Sequence, residues 1–154
     1  MATYQGKLLS GTFNGLPVNC QTAGTLTVNV NVEETPPCKP AAGESLSDTE
    51  WTDSEVVSRS WTLSIDGNQI ADQVTGKVSH MDLLEAMVEG SPVGEFTFGT
   101  TQVEGYNEGY IWIFEGTGII TTFTAEGGTD GAATYTFEVT GKGKPTFVKT
   151  PFVS

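Results

Sequence analysis

The sequence predicts a mainly β fold: a two-sheet β-sandwich or rolled barrel with one short flanking helix at about 79–89 and a long loop at 33–55. Three observations carry that expectation. Apolar and polar residues alternate in twos over much of the chain, as in TLTVNVNVE at 25–33. Nineteen glycines and abundant threonine suit strands and turns better than helices. One stretch, HMDLLEAMVEG at 80–90, breaks the rhythm with helical spacing. With 154 residues the chain is long enough for one domain with a real core. The domain is assigned as 1–154, with the N-terminal stretch, the 33–55 loop and a C-terminal segment at 144–154 set apart as assembly segments.

The elements follow in order. GKLLSGTFNG (6–15) and LPVNC (16–20) form a hairpin or bent first strand. In 25–33, Leu26, Val28, Val30 and Val32 make a dry face opposite Thr25, Thr27, Asn29 and Asn31. The 33–55 stretch loses periodicity and is rich in proline and acids, so it reads as a long, functional or disordered loop. Trp51 near its end either anchors a partner surface or folds back on its own domain. SRSWTLSIDGNQ (58–69) resumes alternation, with Trp61, Leu63 and Ile65 inward and Asp66-Gly67 as a turn signal. Ser79 and Asp82 have capping-box spacing, and Met81, Leu84, Met87 and Val88 form the helix's apolar stripe. Gly90 and Pro92 end that helix. PVGEFTFGT (92–100) is a strand with Phe96 and Phe98 on one side. YIWIFEG (110–116) is apolar on both faces and needs a cover on each. GTGIITTFTAE (116–126) and AATYTFEVTGKG (132–143) flank a glycine turn, and an apolar tail with Phe147, Val148, Phe152 and Val153 wants a partner or groove.

Charge and motifs exclude most chemistry. The net charge of −12, from 19 acids against 7 bases, argues against stable nucleic-acid binding, which needs clustered Lys and Arg. Lys142, Lys144 and Lys149 cluster near the C-terminus, as a partner contact or a solvated tail. The opening MATYQGKLLSGTF lacks the apolar core of a secretory leader, and no run is long enough for a membrane helix. Cys20 and Cys38 read as reduced thiols, too few for a structural zinc site. His80 is the only histidine, and nucleophile-elbow, zinc-protease and phosphate-loop motifs are missing. No enzyme activity, catalytic residue, metal or cofactor is expected.

The order of features then becomes informative. A long loop runs into VVSRSWTLSIDG; MDLLEAMVEGSPV leads straight into GEFTF; an aromatic strand precedes GTGIITTFTAE and ATYTFEVTGKGKP. Over roughly residues 55–145 this order resembles the tail tube (major tail) proteins of long-tailed bacteriophages, related in fold to the type VI secretion tube protein. The resemblance implies a structural virion protein, assembled in the host cytoplasm into the virion tail. Its copies would form hexameric rings that stack into a tube conducting DNA from capsid to host. Implied partners are other copies of itself and the tape-measure, tail-tip and terminator proteins. Genomic DNA would pass without specific binding, and no membrane is involved. Candidate lumen residues are Asp66, Glu95 and Glu138, on wet strand faces. Candidate subunit-interface residues are Trp51, Leu84, Met87, Val88, Trp112, Lys142, Lys144, Phe147 and Phe152. The rival expectation is a capsid-decoration or adhesion-type β-sandwich that binds a partner; a carbohydrate-binding platform on Trp51, Tyr106 and Tyr110 ranks behind it.

Overall fold

A computed structural model describes residues 9–36, 53–72, 74–100 and 110–151. Trp51, Phe152, Cys38 and Tyr106 lie outside them, as does most of the expected loop. The elements are β1 (Leu9–Phe13), β2 (Leu16–Pro17), β3 (Gln21–Thr35), β4 (Asp53–Asn68), α1 (His80–Val88), β5 (Val93–Thr100), β6 (Tyr110–Glu126), β7 (Thr134–Gly141) and β8 (Thr146–Pro151). By contacts the chain divides into two compact units. One comprises 1–27 and 62–154; the other is 28–61.

The mainly β expectation holds, with a difference in connectivity. All eight strands belong to one antiparallel hydrogen-bonded sheet in the order β2-β1-β5-β6-β7-β4-β3, with β8 on β6, and the sheet does not close into a barrel. In the larger unit it bends back on itself. A Cβ on Gly11 of β1 would run into Ile65 of β4, and one on Gly24 of β3 would meet the Phe98 ring of β5 at 2.6 Å. The core lies between these halves, filled by Phe96, Phe98, Leu63, Ile65, Phe137 and Val139, all buried. Phase alternation explains why these residues face inward.

Turn chemistry sets the first hairpin. Asn14 and Gly15 both adopt positive φ (51° and 84°), the conformation of a two-residue primed turn, and join Phe13 to its partner Leu16. The free edge of β1 is then capped by a side chain. The Gln21 amide accepts from Gly11 N–H at 2.9 Å and donates to the Gly11 carbonyl at 3.0 Å, so one side chain stands in for a strand.

Four expectations are corrected. Asp66-Gly67 is not a turn: β4 runs through to Asn68, and Gly67 is needed because the Tyr135 ring fills the space a Cβ would take. Residues 110–116 and 116–126 are one 17-residue strand, β6, rather than two. It keeps its inward phase through a bulge between Ile120 and Thr122, so Ile120 and Phe123 both turn towards the core. The 33–55 loop is shorter than expected, since β3 extends to Thr35 and β4 begins at Asp53. The dry face of 25–33 is wet: Val28, Val30 and Val32 are each more than half exposed.

The helix forms where expected. Ser79 caps it, accepting from Asp82 N–H at 3.2 Å, while the Asp82 carboxylate accepts from Ser79 N–H at 3.1 Å. Its seated residue is Leu83, fully buried, and not the expected stripe. His80 stacks on Tyr135 (ring centroids 5.8 Å apart), which fastens the first turn to β7.

Candidate assembly and conduit surfaces

Register shows which way the expected lumen acids face. Buried Phe96, Phe98, Phe114, Phe137, Val139, Leu63 and Ile65 define the inward phase of β5, β6, β7 and β4. Every neighbouring position points the other way. In that outward phase Glu95 pairs with Thr117, Thr97 with Glu115, Ser64 and Thr122 with Glu138, and Asp66 with Thr136. The Thr136 hydroxyl donates to the Asp66 carboxylate at 2.7 Å. Asp66, Glu95 and Glu138 are therefore all exposed and outward-facing, but on two halves of the bent sheet: Glu95 on the β5 half and Asp66 and Glu138 on the β7–β4 half, with the core between them. Glu115, a fourth outward-facing acid, was missed because 110–116 was read as apolar on both sides; its period-two spacing from Ile113 and Thr117 is the signal that finds it. Hydroxyl side chains fill most remaining outward positions, and Lys142, whose N–H donates to the Thr117 carbonyl at 2.8 Å, continues the outward row of Glu138 and Thr140 just past β7.

The expected interface residues fall on two patches. On α1, Leu84 and Val88 are exposed (42% and 73%), Met81 joins them, and Met87 is half-buried. A shallow groove lined by Met81, Leu84, Glu85, Val88 and Glu89 runs along this side. The second patch lies on β8. Phe147 is 60% and Val148 50% exposed, on opposite faces of the strand. Trp112 is half-buried between Phe98 and Phe147, with ring centroids 6.1 and 6.2 Å away. Lys142 and Lys144 are exposed in the link between β7 and β8, where Gly143 takes φ 81°. Lys149 Nζ lies 5.7 Å from the Tyr110 ring.

The smaller unit, 28–61, holds the outer parts of β3 and β4. The Asn31 amide donates to Ser58 Oγ at 2.8 Å across it. Val28, Val30, Val32, Val56 and Val57 are all exposed there.

Burial, with the charges of nearby Cys20 and Asp66, pushes the Tyr135 phenol up to about 12. Its hydroxyl donates to the Asn19 carbonyl at 2.9 Å. No group of three His, Cys, Asp or Glu suited to a metal occurs among the described residues. None of their helices is long and apolar enough to cross a membrane.

A single bent antiparallel sheet with one capped helix before its central strands is the fold of phage tail tube proteins. It matches a chain of the virion of a native gene transfer agent particle with TM-score 0.67 at 19% identity, over 95% of this chain and 99% of that one. The SPP1 tail tube protein matches with TM-score 0.61 at 9% identity, covering 99% and 81%. The tube-terminating cap of the anti-feeding prophage matches with TM-score 0.65 at 10% identity, covering 97% and 93%. No family model matches the sequence, and no curated protein does.

Proposed function

We propose that this chain is the repeating structural subunit of a tail tube, with hexameric rings stacked into a conduit for DNA. The observation that carries this reading is the acid-and-hydroxyl character of the outward strand faces. Glu95 and Glu115 stand on one half of the bent sheet and Asp66 and Glu138 on the other, among hydroxyl side chains, with one described cation, Lys142, in register beside Thr117. Such a wall repels phosphate and gives DNA little to grip. Six copies at −12 each carry −72 formal charges per ring. The exposed valines of the 28–61 unit are the second support. A row of exposed valines on an acidic protein is a surface for ring-to-ring packing. The fold's likeness to tail and tube components agrees with this reading.

Electron microscopy across a concentration series, with mass photometry on the same samples, tests it. Stacked six-fold rings with a central hole are expected, alone or on addition of tail-tip complex. A protein that stays monomeric in both conditions refutes the tube reading and favours decoration or adhesion.

A further inference from the structure

The helix groove and the β8 patch are complementary in charge and alike in exposed apolar surface. The groove sets Met81, Leu84 and Val88 between Glu85 and Glu89. The β8 patch sets Phe147 and Val148 beside Lys144 and Lys149, in a chain with only seven Lys and Arg. Both belong to the larger unit.

They are tied to different halves of β6. The helix is fixed at the far half: His80 stacks on Tyr135, which pairs with Ala125, and the Pro92 carbonyl just beyond the helix accepts from Ile120 N–H. β8 pairs only with the near half, Tyr110–Glu115. From Phe114 to Ile120 a strand rises about 20 Å. The two patches thus lie apart along one strand and are not each other's cover within the subunit.

We infer that the occupant of the helix groove is the Lys-bearing β8 segment of a second copy of this chain. Resting on the tube reading, this contact supplies the lateral seam of the ring. Phe147 or Val148 seats against Leu84 and Val88, while Lys144 and Lys149 meet Glu85 and Glu89. A groove and a segment on different parts of one molecule make a head-to-tail contact, which closes into a ring when the rotation per copy allows. Pairing of opposite charge around an apolar centre fixes the register and disfavours groove-to-groove dimers, where acid would face acid.

The test is carbodiimide cross-linking of the full chain, using an equal mixture of isotopically labelled and unlabelled protein. This reagent joins only touching amines and carboxylates. Mixed-label products linking Lys144 or Lys149 to Glu85 or Glu89 are expected. Charge reversal follows. The double variant Glu85→Lys/Glu89→Lys, and separately Lys144→Glu/Lys149→Glu, should each raise the concentration for half-assembly about tenfold, as two weak pairs warrant. Mixing the two variants should recover most of that loss. Same-label links only, capture of the groove by Lys7 or Lys39, or unchanged assembly of both variants would overturn the inference while leaving rings intact. Mixed-label links without rings would uphold the contact and refute the tube.

Discussion

Two adjacent leucines on the helix separate folding from assembly. Leu83 is fully buried and Leu84 is 42% exposed. Truncating each to alanine removes the same atoms and keeps helix propensity high, so the difference reports burial alone. Leu83→Ala opens a cavity under α1 and should cost about 3 kcal/mol, within the range for fully buried leucines. Leu84→Ala loses only partial contact and should cost about 1 kcal/mol or less. With a urea slope of about 2 kcal/mol per molar, the first change lowers the unfolding midpoint by about 1.5 M and the second by about 0.5 M at most. Circular-dichroism urea titrations on dilute protein measure both. In assembly assays the order should invert: Leu84→Asp folds but blocks ring formation, whereas residual folded Leu83→Ala still assembles. Equal midpoint shifts would refute the assignment of Leu83 as the seated residue. Normal rings from Leu84→Asp would remove the helix from the seam.

Other expectations follow from single contacts. Gly67→Ala forces a methyl into the Tyr135 ring and should destabilise by about 1–3 kcal/mol, read from thermal or urea melts. Because the Tyr135 phenol is raised above its ordinary 10.0 to about 12, the folded state holds that proton more tightly than the unfolded chain. Its contribution is therefore whole below pH 10 and is lost as pH climbs towards 12; Tyr135→Phe should flatten that fall in urea titrations across the window. Gln21→Ala uncaps the β1 edge, costing about 1–2 kcal/mol and increasing aggregation in light scattering. Replacing Glu95 and Glu115 together, or Asp66 and Glu138 together, by lysine should change subunit stability little, and the pair that lines the bore should slow DNA ejection; unchanged ejection from both would place both outward faces outside the bore.

Local chemistry was legible in the sequence where it acts over a few residues. The Ser79–Asp82 capping box, the hairpin alternative for 6–20 and the inward phase of Trp61, Leu63 and Ile65 all appear as read. What failed depended on partners far along the chain. Gly67 looks like a turn residue until Tyr135, distant in sequence, arrives on top of it. Glycines at 116 and 118 look like a break, but β5 pairs with both and β7 joins on the other side at Gly118, so the strand continues. The candidate lumen acids were legible as wet-face residues, yet only register could show that Glu115 joins Glu95 on one half of the bent sheet while Asp66 and Glu138 stand on the other.

The remaining errors have a common sign, and the sign is informative. Val28, Val30 and Val32 alternate as a core face does, and Leu84 and Val88 are spaced as a buried stripe is; all five are exposed in the subunit. Each was expected to be drier than it is. Alternation records which positions are kept apolar, without recording which molecule covers them. A monomeric acidic protein gains nothing from valines at every second position of an exposed strand, and such a strand invites aggregation. In the proposed ring stack the same valines and the helix stripe would be covered by other copies, which would make the apolar pattern consistent with burial. On the tube reading, the sequence pattern describes the assembled state more faithfully than it describes the free chain. Hydrogen exchange provides the check: amides of 28–32 and 56–57 should exchange fast in dilute subunit and become protected in assembled tubes, while amides beside Leu63 and Val139 stay protected in both.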